Sequence, residues 1–146
     1  MNYPNLIEKA LEARARSYCP YSGFAVGAAL ETADGRIFLG CNIENAALTP
    51  TNCAERTAFF NAVSRGASDF LAIAVVGGPK DVAELDFCPP CGVCRQVMME
   101  FCLPDDFQVI LAKSTSAYKV LTLAKLLPMG FGPTVFTKNG PSHLGT

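Results

Sequence analysis

TNCAERTAFF (residues 51–60) and PPCGVCRQVM (residues 89–98) share one pattern: a turn-forming stretch, a cysteine, then a segment of helical character. Cys91 and Cys94 stand three residues apart, on one face of a helix's first turn, and Cys53 holds the matching place at the other helix start. Unpaired N–H groups and the helix dipole at such a start favour thiolate over thiol. Three thiolates converging on Zn²⁺ leave one tetrahedral position open, the pattern of a catalytic rather than a structural site. Glu55 follows Cys53 by two residues, close enough to serve that open position by taking a proton from water and passing it to a leaving group. Pairing with the helix dipole is its plainer role. Arg56 and Arg95 stand beside these cysteines as candidates to donate to the sulfurs and offset their negative charge.

Outward from the two motifs, residues 5–18 carry helical spacing through Leu6, Ala10, Leu11, Arg14 and Tyr18, ending before Cys19 and Pro20. From Phe24 the residues Val26, Ala28 and Leu30 alternate as in a strand; Ala33, Asp34 and Gly35 supply a turn, and residues 37–43 follow as the second arm of a hairpin. Residues 53–65 predict a helix closed by Gly66, and residues 70–76 a buried strand stopped by Gly77, Gly78 and Pro79. Helix over 92–101, strand over 107–112, and a short strand with a helical turn over 118–127 complete the order. Helices alternating with the later strands predict an α/β fold, a mixed sheet with helices on both faces. Neither repeat nor linker breaks the chain, so residues 1–146 are expected to form one domain, with 138–146 as a flexible tail.

The chain has 146 residues and a net charge of −1, with no Lys/Arg run, which argues against an electrostatic grip on nucleic acid. Its first residues form a charged amphipathic pattern rather than a signal peptide, and no apolar run spans a bilayer, so no membrane partner and a cytoplasmic location are expected. In that reducing compartment, the odd number of cysteines, seven, points to metal or catalytic sulfur rather than a disulfide framework. Cys19, Cys41 and Cys102 read as small buried hydrophobes. Charged residues make up only 17%, below the roughly 25% of typical soluble domains, and this predicts that surface is covered in a homo-oligomer.

Two rivals compete for the cysteines. A redox pair at Cys91 and Cys94 leaves Cys53 and Glu55 without a purpose. A closed structural zinc site needs a fourth ligand, Cys88 or His143; two prolines hold Cys88 away from Cys91, and His143 falls in the tail.

With Cys53-Ala54-Glu55 and Pro90-Cys91-Gly92-Val93-Cys94, the sequence resembles the zinc-dependent nucleoside and nucleobase deaminases. More narrowly, it resembles the small homotetrameric cytidine deaminases of pyrimidine salvage. CPYSGFAVGAAL (19–30), GCNIENA (40–46), NCAERTAFFNAVSRG (52–66), PPCGVCRQVM (89–98) and LLPMGFGP (126–133) follow in that family's order and cover nearly the whole chain. The resemblance implies a three-layer cytidine-deaminase-like fold with a sheet of about five strands. It implies one Zn²⁺ per chain held by Cys53, Cys91 and Cys94, and Glu55 as proton shuttle for the hydrolysis of cytidine or 2′-deoxycytidine to the uridine product and ammonia. It also implies that Phe24 lies against the pyrimidine ring, that Asn42 and Glu44 bind the ribose hydroxyls, and that the Ala54 N–H donates to the base carbonyl. Phe131 matches an aromatic lent to a neighbouring subunit's site in a homotetramer. Two positions depart from the family: Leu48 stands where an aromatic is usual, and Pro89 where serine is usual. The alternatives are a same-fold deaminase acting on another aminopyrimidine nucleoside such as blasticidin S or a sugar-modified cytidine, a polynucleotide-editing deaminase, and a non-catalytic zinc-binding interaction module.

Overall fold

The structure is a computed structural model and describes residues 1–137; the expected tail and His143 lie outside the described residues. Helix α1 (Tyr3–Arg14) starts earlier than its apolar spacing suggests, because Asn2 caps it by accepting from Asn5 N–H (3.1 Å) and a proline sits in its first turn. It also stops before Tyr18. The Tyr18 N–H donates to Asn42 O (3.0 Å) and its carbonyl accepts from Glu44 N–H (2.9 Å), so that residue's backbone serves a strand-like bridge instead.

Strands β1 (Phe24–Thr32) and β2 (Ile37–Cys41) form the expected hairpin, turning where Gly35 adopts φ +89°. Helix α2 (Ala54–Ser64) follows, then β3 (Phe70–Pro79), α3 (Gly92–Phe101), β4 (Gln108–Ser114), β5 (Ala117–Thr122) and the single turn α4 (Leu123–Leu126). The five strands make one sheet in the order β2-β1-β3-β4-β5, with β3 and β4 parallel and the other pairs antiparallel, so the sheet is mixed as expected.

Strand alternation divides the core into two layers. Ala28, Leu30, Ile73, Val75, Val109 and Leu111 pack with Ala58 and Phe59 of α2 and Met98 of α3. Their neighbours Ala29, Ala72, Ala74, Val76 and Ile110 pack with Leu6, Ile7 and Ala10 of α1. Helices therefore cover both faces. The β3 strand is buried along nearly all its length, which explains its continuous apolar run. It does not stop at Gly77. Gly77, Gly78 and Pro79 pair with Val26, Ala25 and Phe24, because β1 still offers a ladder there and side chains of Cys88 and Leu85 crowd the two glycines. Two further glycines set the layer spacing. A Cβ at Gly27 would strike Ala10 O and Arg14 of α1, and one at Gly40 would strike Ala54 O and Ala58 N of α2.

β2 ends at Cys41 rather than at the expected Ile43. Ile43 instead exchanges both backbone hydrogen bonds with Asn52 (2.9 Å each), which fixes the chain immediately before Cys53 and α2.

Candidate metal centre and active site

Cys53 and Cys91 are the N-caps of α2 and α3, both with extended backbone (φ −74°, ψ 156° and φ −67°, ψ 167°), and neither side chain caps its helix. Both sulfurs are free to meet. Cys53 Sγ lies 3.9 Å from Cys91 Sγ, and Cys91 Sγ 3.6 Å from Cys94 Sγ. All three fall within 4.8 Å of one another. Tetrahedral zinc with Zn–S bonds of about 2.3 Å requires sulfurs about 3.8 Å apart, so the donor set fits that ion. Cys88 stands outside this group, packed on Gly77, and burial pushes its thiol up to about 11. The described structure therefore offers three sulfurs and no fourth.

The thiols of Cys53 and Cys94 shift in opposite directions. The Cys94 thiol hydrogen-bonds to Cys53 and holds the Cys53 thiol down at about 5, with Arg56 and Cys91 adding to the effect against the cost of burial. Cys94 is raised, because it is the donor to Cys53 and is itself buried. One sulfur thus ionises first and the next holds its proton beside it, a shared titration that a bound dication displaces. Arg56 Nη2 donates to Cys53 Sγ at 3.3 Å. Arg95 has other partners. It donates through Nε to Pro90 O (2.7 Å) and through Nη1 to Leu126 O (2.5 Å), fastening the approach to Cys91 onto α4.

Glu55 occupies the first turn of α2 with only 4% of its surface exposed. Burial pushes its carboxyl up to about 6, and the neighbouring Cys53 raises it further. Its own N–H, Cys94 and Arg56 pull the other way. A carboxyl poised there both accepts and returns a proton near neutral pH. The first helical N–H of α2, that of Ala54, has no intrahelical acceptor, since the hydrogen bonding begins with Thr57 N–H to Cys53 O (3.0 Å).

Phe24 opens β1, half-exposed, on the same sheet face as Val26, Ala28 and Leu30, the face covered by α2 and α3. Asn42 is buried, and its amide is engaged by the chain itself: Oδ1 accepts from Val26 N–H (2.9 Å) and from Ser17 Oγ, and Nδ2 donates to Phe24 O (2.7 Å). Glu44 Oε1 accepts from the N–H groups of Tyr21 (2.9 Å) and Ser22 (3.1 Å), and Oε2 accepts from Ser22 Oγ. Ser22 holds this carboxyl below its ordinary range. The sequence signal for Ser22 was present but unread: a serine two residues before Phe24 is placed to hydrogen-bond a nearby backbone N–H. Glu44 lines an open cavity of about 420 Å³ with Tyr21, Ser22, Thr51 and Leu48, the last at φ +65°. Phe131 lies beyond α4, its carbonyl accepting from Gln96 Nε2 (2.8 Å) and its exposed ring set edge-on to Phe136 at 6.0 Å. Pro89 is exposed on the segment leading to Cys91.

Comparison with known proteins agrees with this geometry. Residues 2–110 match the family profile described as the cytidine and deoxycytidylate deaminase zinc-binding region. The cytidine deaminase of Sporosarcina psychrophila is 48% identical over 131 residues, 90% of this chain and 92% of that protein. That of Halalkalibacterium halodurans is also 48% identical, over 90% of this chain and 95% of its own. The crystal structure of cytidine deaminase from Burkholderia pseudomallei superposes with a TM-score of 0.80 at 46% identity, covering 90% of this chain and all of that one. The sulfur cluster at two helix starts, the five-stranded mixed sheet and these relatives agree: the chain belongs to the cytidine and deoxycytidylate deaminase zinc-binding family.

Proposed function

We propose that the chain is a zinc-dependent cytidine deaminase, converting cytidine or 2′-deoxycytidine and water to the uridine product and ammonia. The observation that carries this is the pairing of a zinc-sized ring of Cys53, Cys91 and Cys94 with a buried carboxyl, Glu55, two residues from the first sulfur. Similarity to proteins named cytidine deaminase over nine-tenths of the chain supports the substrate.

Cys53, Cys91 and Cys94 would hold one zinc per chain, which would supply Lewis acidity that makes a bound water more acidic. Glu55 takes the first proton of the attacking water and delivers it to ring N3 as the C4–O bond forms. It then takes the second proton, from the hydroxyl on C4, and passes it to the amino group, so that C4=O forms as the C4–N bond breaks and ammonia leaves. A carboxyl that bonds the protonated N3 stabilises the tetrahedral adduct more than the flat substrate, which is the differential binding that catalysis needs. Arg56 offsets the charge of the sulfur ring through Cys53. The Ala54 N–H takes the base carbonyl and Phe24 the face of the ring. Glu44 binds the sugar, together with the remaining Nδ2 hydrogen of Asn42.

Sites complete only in a homotetramer, with Phe131 reaching a neighbour, agree with the exposed aromatic pair Phe131 and Phe136. Among the described residues no helix is long and apolar enough to cross a membrane. All seven cysteines are free, in keeping with a reducing cytoplasm, and the proposed reaction would place the chain in pyrimidine salvage. A second reading, turnover of sugar-modified cytidines, rests on Leu48, which lines the cavity beside Glu44 without an aromatic's flat face or hydroxyl.

Ultraviolet absorbance tests the proposal with purified protein and cytidine, 2′-deoxycytidine, cytosine and cytidine 5′-phosphate. The two nucleosides are expected to be consumed. Cytosine is expected to be poor, because a site built to bond a hydroxyl rejects the analogue lacking it. Efficient turnover of the phosphate in competition with cytidine would overturn the assignment to nucleosides.

A further inference from the structure

We propose that Ser22 is a positioning residue that ties the sugar-binding carboxylate of Glu44 to the ring-binding Phe24 through one hydroxyl group. The inference rests on the nucleoside deaminase reading above. Its origin lies in where β2 stops. Val26 O accepts from Asn42 N–H (3.2 Å), so the even-numbered residues of β1 direct their backbone groups toward β2. Because β2 ends at Cys41, the N–H of Val26 and both backbone groups of Phe24 have lost their ladder partner. Side chains replace it: Asn42 serves Val26 N–H and Phe24 O, and Ser22 Oγ accepts from Phe24 N–H at 3.0 Å.

The Ser22 hydroxyl has one proton to give, and it gives that proton to Glu44 Oε2. Glu44 Oε1 is already filled by the N–H groups of Tyr21 and Ser22. A carboxylate has about four acceptor directions. Three are taken within the chain, and the direction left over lies on Oε2, on the oxygen that Ser22 orients. Ser22 thereby selects the acceptor that a sugar hydroxyl meets. It holds that acceptor in register with the backbone of the residue against the base.

The test compares Ser22→Ala and Ser22→Thr with the parent enzyme on cytidine and on 1-methylcytosine, which keeps the base and lacks the sugar. Ser22→Ala is expected to raise KM for cytidine about tenfold, the loss of one hydrogen bond to a charged group, with kcat little changed. The same variant should affect 1-methylcytosine much less than cytidine, because Asn42 still holds Phe24 O when the Ser22 hydroxyl is gone, and Ser22→Thr, which keeps the hydroxyl at an exposed position, should restore KM. Equal losses on both substrates, or an unchanged KM for cytidine, would overturn the proposal. NMR titration of the Glu44 carboxyl gives a readout independent of turnover. Its pKa is expected to rise in Ser22→Ala and return in Ser22→Thr, and an unmoved value would refute the link. A parent chain inert toward cytidine would sink the deaminase reading, and the titration would still decide Ser22.

Discussion

Cys53 and Cys91 sit in a position that usually belongs to serine, threonine, aspartate or asparagine, yet neither caps its helix. Giving up two caps forfeits helix stability, and the return is a pair of sulfurs placed where helix dipoles favour anions. Glu55 presents a similar trade. Burial raises its carboxyl from 4.5 to about 6, so between those values the native chain holds a proton that the unfolded chain releases. Its contribution to stability is full below pH 4.5 and is lost as pH rises through 6, about 2 kcal/mol at 1.36 kcal/mol per unit. In zinc-stripped protein, Glu55→Gln should therefore gain stability relative to the parent by about that amount between pH 4.5 and pH 7. The comparison of the two proteins matters, because Cys53, held down at about 5, contributes the opposite slope to both. Denaturant unfolding at the two pH values measures it, and a constant difference would contradict the burial of Glu55. Cys53, Glu55 and Arg56 stand within one helical turn, and Cys91 and Cys94 within another, so local spacing makes each set legible in the sequence. Arg95 was not. Its partner Leu126 lies 31 residues away, a contact that local spacing does not encode.

At the scale of elements, the order of helices and strands followed from periodicity, whereas several ends did not. β3 runs through two glycines and a proline because its neighbour pairs with it there. β2 stops short and α1 is cut back because residues 18, 42 and 44 bond to one another. These limits are set by tertiary partners rather than by local propensity. The glycines at the helix–sheet contacts give a test. Gly40→Ala pushes a methyl group into Ala54 O and Ala58 N, at the very turn that carries Cys53 and Glu55. Gly27→Ala pushes one into α1, on the opposite face of the sheet. Each should cost about 1–3 kcal/mol as overpacking, or more where the backbone cannot give. Gly40→Ala should also lower kcat and zinc content. Gly27→Ala should lower Tm first, with the folded fraction keeping its turnover. If Gly40→Ala leaves zinc content unchanged, the spacing of α2 from β2 does not govern the site.

The whole molecule carries an apolar segment without cover. Met129, Phe131, Val135 and Phe136 are exposed beyond α4, held to α3 through Gln96, in a chain with only 17% charged residues. The homotetramer proposed above would account for both features by burying that surface between chains. Light scattering of the zinc-loaded protein is expected to give the mass of four chains, and Phe131→Ala is expected to lower kcat/KM for cytidine more than it lowers Tm. An active monomer would refute the shared site. Low charge content hints at an assembly, but no single-chain periodicity encodes which surface would meet which.

The proposed reaction depends on Glu55 carrying protons rather than holding the metal. The most direct measurement is zinc content and cytidine turnover on the same preparation of Glu55→Ala. The expected result is one zinc per chain, as in the parent, with turnover reduced by at least about a hundredfold. Loss of the zinc, or turnover near that of the parent, would contradict the account.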